Sequence, residues 1–503
     1  MTETEDMPPI IWTVRSGRKS LFNPDLPPNR SSVSIMVTVE EYRLDRDSMG
    51  EVKVPSTAYY GAETQRAFQN FPISGLRLPK EFIRALALIK LSAARANMQL
   101  GLLDPKKGEA IASAAKEIME GSYYDQFVVD VFQTGSGTSS NMNMNEVIAN
   151  RAIELLGGKR GDKSIIHPND HVNMCQSTND VFPSAIHVSA AEAIARRLVP
   201  DLRVLAEALE KKVAEFEDVV KAGRTHLQDA VPITLGQEFS GYASMIRRAI
   251  KRAEQARDTL LELPLGGTAV GTGLNADPKY SELAIMGINR LTGLSFRKAE
   301  NMFEGLQSKD ASVEASGLLK VIATSLMKIS NDLRLLNSGP RTALGEIDLP
   351  AMEPGSSIMP GKVNPVIPEA LGLVAAQVYG NDTAIGICGS LGQLELNVMM
   401  PVIAYDLLQS IEILANGSRI LGEKCVMGIT ADEKRCMEYA ERTLMMVTRL
   451  TPKIGYDNAA KIAKKAMVEN KSLREVVLEE GILPKDKLDE VLDLKKMTKG
   501  GRA

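Results

Sequence analysis

The stretch DLRVLAEALEKKVAEFEDVV, residues 201–220, decides the fold. Leu202, Leu205, Leu209, Val213, Phe216 and Val220 recur at steps of three and four, and charged residues fill the other face. That spacing predicts a helix with one buried stripe. Comparable patterns run over 237–261, 308–337, 368–387 and 393–421. Five long helices with little strand signal predict an all-α fold built on a helix bundle. Helices of roughly 20–30 residues run about 30–45 Å at 1.5 Å per residue, so the bundle is expected to be elongated. Helices of this length are seldom covered inside one subunit, and an oligomer with the bundle as its interface is expected.

Working outward, a helix is expected over 81–101, where Phe82, Leu86, Leu88, Ile89 and Leu91 are interspersed with alanines, and a shorter one over 105–119. Residues 1–38 carry Pro8, Pro9, Pro24, Pro27 and Pro28 without apolar periodicity, which predicts a disordered extension. Glu3, Glu5 and Asp6 at its start are unlike the acid-poor secretory and mitochondrial presequences. Beyond Leu421 shorter helices predict a compact C-terminal domain ending in the basic Lys495, Lys496, Lys499 and Arg502. The expected domains are residues 39–176, 177–430 and 431–503.

Composition narrows the function classes. Among 503 residues, 44% are apolar and only 5% aromatic, as in cores built from aliphatic side chains. A net charge of −3 supplies no basic field for nucleic acid. No apolar run approaches membrane-spanning length. Cys175, Cys388, Cys425 and Cys436 show no paired metal spacing and suit a reducing, cytoplasmic compartment.

Five polar segments stand out between the helices. GSSIMPGKVNP, residues 355–365, packs Ser356, Ser357, Lys362, Val363 and Asn364 between Gly355, Gly361 and the stiffening Pro360 and Pro365. Such a loop can present N–H groups, hydroxyls, an ammonium and an amide to one small anion. It is no Walker loop: five residues separate its glycines where four are needed, and Val363 follows the lysine. TGSGTSSNMNMNEV, residues 134–147, sets Ser136, Gly137 and Thr138 ahead of a helical run expected to start at Glu146. Hydroxyls there can cap a helix, and free N–H groups there can hold an anion. HPNDHVNMCQSTND, residues 167–180, places Ser177, Thr178 and Asn179 before a helix expected near Val181. Its His167 and His171 are four apart, but Pro168, Asn169 and Asp170 lie between them and the inner Glu of a zinc protease motif is missing, so no metal is expected. GRTHLQDAVPITLGQE, residues 223–238, carries Thr225 and His226, one of four histidines, in a polar loop between two long helices. GGTAVGTGLN, residues 266–275, lacks a dinucleotide fingerprint's third glycine and is expected to be a tight turn between bundle helices.

Over about residues 40–500 the chain resembles the fumarase/aspartase superfamily, and GSSIMPGKVNP matches the superfamily's signature without a gap. The resemblance implies a small N-terminal helical domain, a central five-helix bundle and a small C-terminal domain. It also implies a homotetramer with a twenty-helix core, whose active sites combine segments from different subunits. The implied substrate is a small dicarboxylate, with no metal or organic cofactor. The implied catalytic residues are Ser356 as base, His226 acting on water or the leaving group, and Glu369 paired with that histidine. Ser136, Gly137, Thr138, Ser177, Thr178, Asn179, Thr225, Ser357, Lys362, Val363 and Asn364 are implied to bind substrate. His167, Pro168, Asn169 and Asp170 resemble a peripheral dicarboxylate site. Ser164 stands where a basic residue is often found, which implies that this site is weakened.

TGSGT, NMNMNEV, HPND, Thr225-His226-Leu227 and Asn301-Met302-Phe303-Glu304 resemble fumarases and favour reversible hydration of fumarate to L-malate, in tricarboxylic acid metabolism. Ser177-Thr178-Asn179, Asn331-Asp332-Leu333-Arg334 and Gln393-Leu394-Glu395-Leu396-Asn397 resemble aspartases, which leaves aspartate ammonia-lyase as the alternative. One methyl group at Thr178 is worth only about 1–3 kcal/mol and does not decide between water and ammonia. An inert structural relative is a third reading, against which the full catalytic set stands.

Overall fold

A computed structural model describes residues 41–501. The extension expected over 1–38 and Arg502 of the basic tail lie outside the described residues.

Order begins with an antiparallel hairpin, β1 (Tyr42–Asp47) and β2 (Gly50–Pro55). Helices α1 (Ala62–Asn70), α2 (Lys80–Gln99), α3 (Pro105–Met119) and α4 (Thr138–Leu155) follow. Buried Glu146 of α4 accepts from the N–H groups of Gly61, Glu63 and Thr64 at 2.8–3.1 Å and from Thr64 Oγ1 at 2.6 Å. It thereby satisfies donors that the first turn of α1 leaves open. Helix α4 starts eight residues before the expected Glu146, so the Asn/Met run lies inside it, buried.

Helices α5 (Thr178–Ala193) and α6 (Val199–Glu215) are continuous through a π turn at Ile194–Leu198. The expected 201–220 helix is therefore the second half of a longer one. It stops before Val220, which opens strand β3 (Val220–Thr225), paired antiparallel with β4 (Gln228–Thr234). Helix α7 (Leu235–Thr259) starts at a capping box in which Thr234 and Gln237 satisfy each other's backbone N–H. After α8 (Tyr280–Thr292) and the short α9 (Met302–Gln307) come α10 (Asp310–Leu336), α11 (Val366–Gly389) and α12 (Met400–Ile420). The helix expected from residue 393 begins at Met400, because residues 392–397 form a two-residue-per-strand hairpin with Leu394 at φ +49.

The bundle closes on itself. Helix α6 packs on α7, α7 on α10, α10 on α11, α11 on α12, and α12 returns to α5 and α6. The 27 residues of α10 run about 40 Å at 1.5 Å per residue. Its buried positions Leu319, Ile322, Leu326, Ile329, Leu333 and Leu336 keep the three–four spacing of one inward face. Beyond α12 shorter helices follow between residues 433 and 497, and the strands of the described residues form five two-stranded ladders, three with only two residues per strand, so the architecture is all-α. The aliphatic core runs from Val54 to Cys436, and a separate buried cluster, with Leu450, Val476, Val477 and Leu492 at its centre, spans 446–492.

Candidate active site

The chain brings two of the polar segments together. Gly137 is the N-cap of α4 at φ +80, a conformation that favours glycine, and a Cβ there would stand 2.1 Å from the Phe182 ring. This close approach seats the 136–138 turn on the start of α5. Ser136 Oγ lies 2.9 Å from Thr138 Oγ1. Ser177 caps α5, which starts at Thr178, three residues earlier than expected. Asn141 Nδ2, one turn into α4, donates to Thr178 Oγ1 at 2.9 Å and ties the two segments directly.

Asp180 anchors this floor. It accepts from the N–H groups of Ser177 at 3.0 Å, Gly266 at 2.9 Å and Thr268 at 3.0 Å. Burial raises its pKa to about 6 against those hydrogen bonds and the Lys90 charge. The 266–275 segment is a tight turn, but it folds over the α5 terminus instead of joining bundle helices. Asn179 Nδ2 donates to Ala269 O at 2.8 Å within it.

His226 stands at the tip of the β3–β4 hairpin, where a plain polar loop was expected. His226 (φ +55) and Leu227 (φ +58) are the two central residues of the turn between the paired Thr225 and Gln228. Two positive φ values match the right-handed twist of a hairpin, but the position favours Asn and Gly. Non-glycine residues held there store strain of the kind that clusters at working sites. Thr225 and His226 are exposed. At its base the hairpin is fixed by charge: Lys221 Nζ lies 2.6 Å from Glu238 Oε2 and 2.9 Å from Glu346 Oε2, and Arg224 pairs with Glu346 Oε1 at 2.8 Å.

The 355–365 loop is closed by its own hydrogen bonds. Gly355 N donates to Lys362 O at 2.7 Å, and Asn364 Nδ2 to Gly355 O at 2.8 Å. Inside it, Ser356 Oγ accepts from the N–H groups of Ile358 at 3.2 Å and Met359 at 3.0 Å. Those two donors favour negative charge on that oxygen. Ser357, Lys362, Val363 and, in the first turn of α11, Glu369 are exposed. Among the described residues no hydrogen bond or ion pair links His226, this loop and the Ser136–Thr138 turn to one another.

The 167–170 segment forms one turn in which His167 Nδ1 accepts from the N–H groups of Asn169 and Asp170 at 3.2 Å. His171 Nδ1 accepts from His167 N at 2.8 Å, and its Nε2 lies 3.2 Å from Lys107 Nζ. The two rings do not converge on one ion, and among the described residues no group of three metal-ligating side chains occurs.

Reading the sequence missed the layer beneath the floor. Lys90 of α2 is buried and donates to Asn173 Oδ1 and Gln176 Oε1, both at 2.9 Å. Asn141 and Asn145 also donate to Asn173 Oδ1, at 3.3 and 3.2 Å. The available signal was a single charge in the otherwise uncharged run ALALIKLSAA, residues 85–94, beside the unusual Asn repeat of 141–145.

Residues 50–380 match a family described as lyase, and residues 446–499 one described as the fumarase C C-terminus. The chain is 53% identical over 459 residues to a class II fumarate hydratase of Bradyrhizobium diazoefficiens, covering 91% of this chain and 97% of that one. It is 48% identical over 463 residues to an aspartate ammonia-lyase of a Bacillus species, covering 92% and 99%. The crystal structure of a class II fumarase from Schistosoma mansoni aligns with a TM-score of 0.89 at 42% identity, over 91% of this chain and 99% of that one. Among the described residues no helix is long and apolar enough to cross a membrane.

Proposed function

The chain belongs to the class II fumarases of the fumarase/aspartase superfamily, and on that premise we propose that it hydrates fumarate reversibly to L-malate. The difficult species is the carbanion beside one carboxylate, drawn as an aci-carboxylate with two negative charges at one end. Starting from malate, a base removes the C–H proton and the hydroxyl leaves as water from the neighbouring carbon. Hydration runs these steps backwards.

Ser356 is the proposed base, and the observation that carries the reading is the pair of N–H groups on its Oγ, at 3.2 and 3.0 Å. A serine hydroxyl is a weak base unless its alkoxide is stabilised, and these donors sit where that charge would form. Lys362, Asn364 and Thr225 take the charged end of the intermediate. Ser136, Thr138, Ser177, Thr178 and Asn179 hold the rest of the substrate, with Gly137, Ser357 and Val363 shaping the backbone around it. His226 acts on the water, with Glu369 as its carboxylate partner. His167, Pro168, Asn169 and Asp170 form the weakened peripheral site.

The site is completed by other copies of the chain, in a homotetramer. Two features support this. Among the described residues no hydrogen bond or ion pair links the three polar faces to one another, and α11 is apolar beyond what its own subunit covers. Leu373, Ala376, Gly380, Thr383 and Ile387 recur at steps of three and four along it, and all are partly or fully exposed. A small, apolar seam of that period fits helix against helix. The central bundle, the N-terminal region 39–176 and the C-terminal region 431–503 are the domains of this proposal.

The test follows fumarate by its absorbance, with L-malate and then with L-aspartate as substrate. Fumarate formed from malate alone supports hydration. Fumarate formed from aspartate alone supports the second reading, an ammonia-lyase, which the 48% identical Bacillus relative and Ser177-Thr178-Asn179 favour. Activity with neither overturns both.

A further inference from the structure

A hydroxyl carries one proton, and what it accepts decides where that proton goes. Thr178 Oγ1 accepts from Asn141 Nδ2 at 2.9 Å, and among the described residues no acceptor takes its proton. The direction of this bond depends on which way round the Asn141 amide sits. Its Nδ2 also faces Asn173 Oδ1 at 3.3 Å, which keeps the NH₂ end toward both oxygens. The Asn173 amide is set in turn by Lys90, whose Nζ donates to Asn173 Oδ1 at 2.9 Å. Asn145 Nδ2 meets the same oxygen at 3.2 Å, and Asn173 Nδ2 donates to Gln176 O at 3.1 Å. The second Lys90 bond, to Gln176 Oε1 at 2.9 Å, orients Gln176, whose Nε2 then donates to Val172 O and Met174 O. Every amide in the chain of contacts from α2 to the tip of α5 therefore has one orientation consistent with its neighbours.

We propose that Lys90 is a positioning residue for the reaction: through Asn173 and Asn141 it leaves the Thr178 hydroxyl proton free to donate to a substrate carboxylate. This inference rests on the substrate-binding role given to Thr178 above. The cost of the arrangement argues that it is used. Lys90 is fully buried without a direct carboxylate partner, and burial pulls its pKa down to about 7, with only the Asp180 charge raising it. An apolar side chain at this place in α2 would avoid that penalty. Three donors, from Lys90, Asn141 and Asn145, converge on Asn173 Oδ1 under two loop–helix junctions, while Asn141 Oδ1 and Asn145 Oδ1 are buried with no partner among the described residues.

The experiment is a double-mutant cycle on the full-length tetramer, with kcat and KM read for L-malate. Lys90→Met and Thr178→Val, made singly, are each expected to raise KM about tenfold and change kcat less than about threefold. Thr178→Ser, which keeps the hydroxyl, is expected to retain near wild-type KM. In the double variant, Lys90→Met is expected to add less than about twofold to the loss already caused by Thr178→Val. Separate losses that multiply to about a hundredfold overturn the proposal, since Lys90 would then act independently of Thr178. If Lys90→Met does not fold, Asn173→Ala, which cuts Lys90 off from Asn141, takes its place in the same cycle with the same two outcomes. A wild-type chain inactive on malate and aspartate overturns the functional reading itself, whereas multiplicative losses in an active enzyme overturn only this inference.

Discussion

Lys221 Nζ and Glu346 Oε2 lie 2.9 Å apart, with side chains 2% and 0% exposed. This buried pair joins the hairpin that carries His226 to the segment that leads into the Ser356 loop. Glu346 also pairs with Arg224 at 2.8 Å and accepts the Asp432 N–H through its backbone carbonyl at 3.0 Å. One carboxylate therefore ties the hairpin to the segment that precedes the 355–365 loop.

Replacing that carboxylate leaves two cations short of a partner in a dry interior. Glu346→Gln is expected to lower stability by about 3–5 kcal/mol, because uncompensated buried charge costs more than the pair contributes. Urea unfolding checks this. A loss below about 1 kcal/mol would mean that Glu238 alone holds Lys221 and that the anchor is not Glu346.

The turn at the hairpin tip gives a second test. Leu227 is 69% exposed at φ +58, so replacing it with glycine removes strain and little packing. Leu227→Gly is expected to stabilise the chain by up to about 1 kcal/mol. His226→Gly relieves the same kind of strain, yet is expected to reduce kcat/KM by about 10²–10⁴. Thermal melts alongside malate kinetics separate the two effects. Lower stability in both variants would show that the turn is not strained.

How much of this was legible in the sequence depends on the kind of contact. Period alone predicted α10, α11 and α7, since their buried residues recur at helical spacing along one face. It failed at Val220, which continues the stripe of α6 but opens β3. That hairpin is held by Lys221, Arg224 and Glu346 and not by an alternating apolar face, so no strand pattern was visible. It failed again at residue 393, where a short hairpin precedes the helix and Pro401 fits the first turn of α12. The individual polar segments were legible from their composition. That Ser136–Thr138 meets Ser177–Asn179 was not, because the link is a side-chain bond from Asn141 across two helices.

Buried His187 predicts a pH dependence. Its Nδ1–H donates to Glu262 O at 2.7 Å, and burial pulls its pKa down to about 4 against that bond. Lys309 lowers it further, while the Glu262 and Asp310 charges raise it. The folded ring stays neutral where the unfolded one, with a pKa near 6.5, takes a proton. Between pH 6.5 and about 4 the unfolded state therefore binds more protons, and stability falls as pH falls. The window spans roughly 2.5 pH units, on the order of 3 kcal/mol. His187→Gln is expected to flatten this part of the stability–pH curve. An unchanged slope in that variant would assign the dependence to other groups.

Sharing of the site between subunits is tested most directly by mixing. His226→Ala and Ser356→Ala are each expected to be inactive as pure tetramers. Unfolded together in equal amounts and refolded, they should recover about a quarter of wild-type activity, the fraction of sites that draw both intact residues from different subunits. Native mass spectrometry identifies the mixed tetramers. Mixed tetramers no more active than the two pure variants would contradict a site built across subunits.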